Sequence, residues 1–173
     1  MDENLNNSHT HTLRMNEQES QKGRAFGQFS SNKTQRPDST DPVDIELTDQ
    51  EDMFGGEHTI DFIQGDIEIK KSGMYFIIAG PQIGKTSGDQ ARWIDFWLRV
   101  NYVDIPNSNV RAVIKDQCQK DVIVLQVLTR LNKGDTLNIM MSIEALGEGI
   151  GIEAIQQPGE PLIPSIILTI LQM

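Results

Sequence analysis

Gly73-Met74-Tyr75-Phe76-Ile77-Ile78-Ala79-Gly80-Pro81-Gln82-Ile83-Gly84-Lys85-Thr86 can be read in two ways, and the choice decides the fold. Ala79 to Thr86 fits a relaxed phosphate-loop pattern behind an apolar strand. In such a loop the glycines let backbone N–H groups wrap phosphates, the lysine reaches the terminal ones and the threonine hydroxyl holds magnesium. Lys85 and Thr86 would take those roles in a small nucleotide hydrolase. Three features oppose this reading. The opening position is Ala79 instead of glycine. The loop feeds Ser87-Gly88-Asp89, a turn-like stretch, where a helix N-terminus should face the phosphate. The best later apolar strand, Val122 to Leu128, ends in Thr129-Arg130 and supplies no aspartate for a metal shell. The other reading makes Met74–Ala79 a central strand, apolar on both faces, followed by an exposed loop from Pro81 to Asp89 with Lys85 in water. No α/β alternation surrounds the stretch, so the second reading is preferred.

Outward from this strand the texture is short alternating runs between turn residues. Upstream, Arg24–Ser30 is a weak first strand, Ser31–Pro42 a polar loop, and Val43–Leu47 a strict period-two run. Thr48–Gly56 reads as an acidic loop, and His58–Phe62 and Asp66–Lys70 alternate again around Gly65. Downstream, Trp93–Asn101 is rich in Trp, Ile, Phe and Val, which favours strand over helix for Gln90–Val100. Asn101–Asn109 should hold a tight turn, and Val110–Ile114 follows as a strand. Asp121–Leu131 is apolar and β-branched. Asn132-Lys133-Gly134-Asp135 is a turn signal that predicts a hairpin with Thr136–Ile143. Gly147–Gly151 breaks the chain, Ile150–Ile155 alternates, and Ile163–Leu171 closes it as an apolar strand entered through Pro161 and Pro164. No stretch sustains a helical period. About ten short strands at this spacing mark an all-β sandwich or barrel. The domain is expected over residues 24–173, behind a disordered polar tail at 1–23.

The composition narrows the function. The 173 residues carry 25 acids against 15 lysines and arginines, a formal net charge of -10. A nucleic-acid backbone would be repelled, and no basic stripe exists to release its counterions. Cationic partners and divalent metals remain compatible. Cys118 is the sole cysteine and cannot close an internal disulfide. It is expected as a buried or half-buried thiol, with an intermolecular cross-link as the alternative. Met1–Ser20 has no apolar core of a secretory signal, and no stretch reaches ~18 apolar residues. Synthesis in the cytoplasm without membrane insertion is therefore expected, with a surface reached through assembly or lysis.

No catalytic, cofactor or metal residues are expected. His58 is the one histidine outside the tail, and neither G-x-S-x-G nor H-E-x-x-H occurs. His9 and His11 read as solvated tail residues. Asp44, Glu46, Asp61, Asp66 and Glu68 alternate with apolar neighbours, the signature of a wet sheet face. The acidic loop at 49–52, with Asp49, Glu51 and Asp52, could offer oxygen ligands to calcium but lacks the spaced pattern of a dedicated loop.

Gly73-Met74-Tyr75-Phe76-Ile77-Ile78 resembles the glycine-x-tyrosine strand entry of the complement C1q and tumour necrosis factor families. Leu98-Arg99-Val100-Asn101 is similar to the family strand that turns back through Asn-Gly, with Tyr102 in place of that glycine. Leu125 to Leu137 resembles the family hairpin of a leucine-rich strand, a Leu-x-x-Gly-Asp turn and a return strand. Ala25-Phe26-Gly27 resembles bacterial C1q-like proteins, including those of the spore exosporium basal layer. The resemblance covers Arg24 to Met173. It departs from the vertebrate heads, which have a collagen stem and a closing aromatic strand.

The resemblance implies a ten-stranded antiparallel jelly-roll β-sandwich that assembles as a homotrimer. Because Met74–Ile78 and Ile163–Leu171 are apolar on both faces, one face is expected against the sandwich core and one against a neighbouring subunit. The trimer-interface residues expected on this basis are Tyr75, Ile77, Ile166, Leu168 and Ile170. The function expected is that of a non-enzymatic structural or adhesive protein on a spore, virion or other particle surface. Its N-terminal tail would tether it to a protein partner. The alternative is a ligand-binding lectin or receptor-type module using the loops Pro81–Asp89, Asn101–Asn109 and Gly147–Gly151.

Overall fold

Period-two alternation becomes fourteen strands in the computed structural model, which describes residues 24–54 and 59–173. The tail assigned to 1–23, with His9 and His11, lies outside the described residues, as does His58. In chain order the strands are β1 (Phe26–Ser31), β2 (Val43–Asp44), β3 (Asp49–Phe54), β4 (Ile60–Ile63) and β5 (Asp66–Ile69). There follow β6 (Gly73–Gly84), β7 (Arg92–Val100), β8 (Val103–Asp104), β9 (Val110–Ile114) and β10 (Asp121–Val122). The last four are β11 (Leu125–Leu131), β12 (Thr136–Ile143), β13 (Gly151–Ile152) and β14 (Ile166–Gln172). Four of these (β2, β8, β10 and β13) are two-residue ladders, which leaves ten strands of four or more residues. Every pairing is antiparallel. One sheet orders β3, β1, β14 and β6, with β10, β11 and β13 also on β6. The other orders β4, β5, β12, β7 and β8, with β2 on β12 and β9 on β7.

The two sheets face each other across a core in which β5, β7 and β12 oppose β6, β11 and β14. Ile67, Ile69, Ile94, Phe96, Leu98 and Leu137 meet Tyr75, Ile77, Leu125, Leu168 and Ile170 in one cluster. At its edge the Phe29 and Phe62 rings, one from each sheet, lie 5.3 Å apart. Tyr75 is the largest of the fully buried side chains among the described residues. Its hydroxyl donates to Lys71 O at 2.6 Å, which satisfies the polar tip of an otherwise apolar burial. Burial raises the Tyr75 pKa above its ordinary value.

The structure corrects several expectations. The expected hairpin of Leu125–Leu131 with Thr136–Ile143 does not form: β11 pairs with β6 and β12 with β5 and β7, in opposite sheets. The turn is real, with Gly134 at φ +91°. However, it is bonded to the end of β5, through Gly134 N to Ile69 O at 2.7 Å and Ile69 N to Asp135 O at 2.8 Å. That docking delivers β12 beside β5 rather than back along β11. The stretch Thr48–Gly56, expected as a loop, contains the edge strand β3, paired with β1 across a register shift at Gln28/Phe29. An edge strand tolerates charge, and charge there discourages pairing with a further chain. Val43–Leu47 keeps its alternating burial, but only its first two residues form a ladder.

The continuous strand expected at Asp121–Leu131 is split in two. Ile123 N donates to Pro81 O at 3.0 Å, but Pro81 has no N–H to return the bond, so the ladder breaks into β10 and β11. The loop expected from Pro81 is likewise corrected: β6 continues through Gly84, and Pro81, Gln82, Ile83, Gly84 and Lys85 are all buried.

Candidate functional site

Residues of alternate parity on β6 divide between two surfaces. Tyr75, Ile77 and Ala79 point into the sandwich and are fully buried. Met74, Phe76, Ile78 and Gly80 point outward and are half-buried. On β14 the same division sets Ile166, Leu168 and Ile170 inside and Ile167 and Leu171 outside. The five residues expected at a subunit interface, Tyr75, Ile77, Ile166, Leu168 and Ile170, are therefore the chain's own core. Each is 0% exposed within a single chain, so a neighbour cannot touch them. Both parities are apolar, and the alternation does not say which of them the second sheet covers.

The outer face that remains has a specific layout. Register aligns Phe26 with Leu171, Leu171 with Phe76, and Phe76 with Leu128, one continuous row across four strands. Leu128 is 60% exposed, while Phe26 and Leu171 are just over a third exposed. A second apolar group lies further along β6. There Ile167 pairs with Gly80, and the Cβ position of Gly80 is 3.5 Å from Val122 Cγ1. Val122, Val124 and Ile167 are all exposed. Between the two groups runs a mixed row of Gln28, Thr169, Ile78 and Gln126.

The outer face of the second sheet has the opposite character. Arg111 donates to both Asp95 oxygens at 2.7 Å and lies 4.3 Å from the centre of the Trp93 ring. The hydrogen bond to Asp95 holds the Arg111 pKa above its ordinary value. Arg99 and the Trp97 indole N–H both donate to Asp104 Oδ1, at 2.7 and 2.8 Å. Arg99 first, then Trp97, hold the Asp104 carboxyl below the usual range. Lys70 pairs with Glu68 at 2.7 Å and Asp61 at 3.0 Å, and its pKa is raised by those two hydrogen bonds in that order. Such satisfied polar groups suit water.

The phosphate-loop reading fails on geometry. The Ala79–Gly84 backbone is committed to ladders with β14, β10, β11 and β13, so its amides do not converge on an anion. Lys85 is 0% exposed, against the expectation that it lies in water. Its Nζ donates to Gln90 O and sits 3.3 Å from Glu148 Oε2. Of the three loops named as ligand-binding candidates, Pro81–Asp89 and Gly147–Gly151 meet at one end of the sandwich through Thr86 N to Glu148 O. Asn101–Asn109 follows the opposite end of β7. Cys118, expected to be buried or half-buried, is exposed. Its loop is organised by Asp116 Oδ1, which accepts the amides of Cys118 and Gln119 and keeps the thiol off the core. The 49–52 acids of the calcium reading lie on β3, and among the described residues no three His, Cys, Asp or Glu side chains group as metal ligands. Among the described residues no helix is long and apolar enough to cross a membrane.

Comparison with known proteins is informative for the fold alone. No family model matches the chain, and no curated protein matches it. Among solved structures 229 chains match, so the architecture is a recurrent one. One is murine APRIL, with a TM-score of 0.54 at 7% identity, covering 87% of this chain and 99% of that one. At that identity the likeness speaks for backbone architecture: two antiparallel sheets in a jelly roll of the tumour necrosis factor type.

Proposed function

We propose that this chain is a non-enzymatic structural or adhesive module that assembles as a homotrimer through the outer face of the β1–β14–β6–β11 sheet. The observation that carries the reading is the row Phe26–Leu171–Phe76–Leu128, apolar and open to solvent, on one sheet of a sandwich whose other outer face carries ion pairs. Contiguous exposed apolar surface of this kind is a feature of association sites. Three is the number of copies that the resemblance to C1q and tumour necrosis factor domains implies. Residues 1–23 serve in this reading as the attachment segment to a protein partner on a spore, virion or comparable particle. Deleting residues 1–23 should leave the number of chains in the assembly unchanged and abolish attachment to the particle. A truncated protein that attaches in full contradicts the tether.

A second reading, a ligand-binding module, is favoured by one residue. Asn101 and Tyr102 form the β7–β8 turn at φ 50° and 65°. Asparagine tolerates this region, whereas a tyrosine there costs about 1–2 kcal/mol. Tyr102 is 89% exposed, so packing does not offset that cost. Asn101 fixes the turn through its own N–H to Thr136 O at 3.0 Å and its side chain to Asp135 Oδ1 at 2.8 Å. A rigid turn displaying a strained aromatic suits contact with a partner. Tyr102→Gly is expected to raise the unfolding free energy by about 0.5–1 kcal/mol, read from the urea midpoint. An unchanged or lower midpoint contradicts the strain argument.

A further inference from the structure

Four residues donate to Glu148. Arg92 donates through Nε and a terminal nitrogen to Oε1, each at 2.7 Å. Buried Lys85 approaches Oε2 at 3.3 Å, and the Thr86 and Ser87 amides donate to the Glu148 carbonyl at 3.0 and 3.2 Å. Glu148 thus joins the end of β6, the 86–91 loop and the start of β7. Its neighbours are glycines in the left-handed region. Gly147 and Gly149 flank it at φ 84° and 63°. Gly88, at φ 81°, leaves no room for a side chain, since a Cβ there would sit 2.3 Å from Glu148 Oε2.

Among the described residues Glu148 is the only acid that Lys85 pairs with. The other charged groups around it are Arg92, Glu144 beyond Arg92, Asp89 in the facing loop, and Arg36, which donates to Gly149 O at 2.9 Å from the β1–β2 connection. We propose that Glu148 is an acid-sensitive latch: losing its charge releases the 86–91 and 147–149 loops from each other while both sheets stay intact. A neutral Glu148 leaves an ammonium with no solvent exposure and only uncharged oxygens, the Gln90 carbonyl and the Glu148 carboxyl, as partners. An unpaired buried charge is costly, so Lys85 must reach water, and the loops that cover it must part. Arg92 is partly exposed and can be hydrated in place. Upstream, β6 is held by β14 and β11 and does not follow.

The sign is that of a depressed carboxyl. The hydrogen bond from Arg92, and then that from Lys85, hold the Glu148 pKa below its ordinary value. The latch is closed above the usual carboxylate range and is lost as pH falls through the depressed value. The proposal is independent of the homotrimer reading.

Amide hydrogen exchange of the full chain tests it. At pH 7, Glu148→Gln should speed exchange at the Thr86 and Ser87 amides by about tenfold or more and leave Ile77 and Leu98 at wild-type protection. Adding Lys85→Met to that variant should return Thr86 and Ser87 to wild-type protection, because the buried ammonium that forces the loops apart is gone. Wild-type exchange in Glu148→Gln overturns the latch, as does loss of protection through both sheets. A double variant as open as the single one shows that the ammonium is not the cause, and overturns it equally.

Discussion

Leu128→Asp is expected to convert the assembly into folded monomers. Leu128 is among the most exposed of the large apolar side chains on the outer face, and it ends the row that runs through Phe76 and Leu171 to Phe26. In a symmetric assembly the substitution places one carboxylate per copy inside the contact. Removing each from water costs several kcal/mol in effective terms, and no cation on this row can answer it. The nearest positive group on the same face of β11 is Arg130, aligned with Met74 one row away. The same change costs a single chain little, because position 128 already faces solvent. Val113→Asp is the matched control. Val113 is 48% exposed beside Trp93 on the other sheet, away from the apolar row, and the mass of this variant should not change. Light scattering after size exclusion reads the mass of each variant, and far-ultraviolet circular dichroism reports whether the monomer is folded. A Leu128→Asp protein of wild-type mass moves the association face elsewhere.

The second large effect concerns the core. Phe96→Ala should lower the unfolding free energy by about 3–5 kcal/mol, through lost transfer energy and the cavity left behind. Phe96 is fully buried near the middle of β7, opposite Met141 on β12 and Val110 on β9. Ladders on both sides hold β7 in place, so the site can collapse only by bending a central strand. For a domain with typical stability of about 5–15 kcal/mol this is a large fraction of the total. Urea unfolding at fixed protein concentration measures it. A loss below about 1 kcal/mol would mean that the two sheets are not close-packed at Phe96.

What the sequence made legible was periodicity, and what it hid was pairing. The strands β5, β7, β9 and β12 follow the expected runs within a residue or two; burial alternates on β5 and β9, whereas β7 and β12 also bury outward-facing residues such as Asp95, Trp97 and Met140. β6 and β14 were legible as two-sided strands, but their apolar residues occur at both parities. Which set is core depends on where the second sheet lies, and so the sequence points Tyr75 and Ile77 to a subunit contact when Phe76 and Leu171 occupy the open face. The Asn132–Asp135 signal specified a turn without specifying its destination, which Ile69, more than sixty residues earlier in the chain, decides. Lys85 shows the same limit for the site. Nothing local to Gly84-Lys85-Thr86 announces a buried ammonium, because its carboxylate partner comes from Glu148, beyond four further major strands. The Tyr102 signal was present in the sequence as a tyrosine where a tight Asn-Gly turn is usual. Its meaning needed the positive φ and the exposure to emerge.

The contrast between the two outer faces joins these observations. Asp95–Arg111 and Arg99–Asp104 give one sheet a surface suited to water, and the other sheet presents aromatic and aliphatic side chains in register. A net charge of -10 sets copies of the chain against one another electrostatically and so opposes non-specific association even while such a face is open. The most direct test of the central claim is the absolute solution mass of the unmodified chain, by light scattering after size exclusion. A mass three times 19.4 kDa is the result expected. A monomer of 19.4 kDa that persists at high protein concentration would contradict self-assembly through the apolar sheet face.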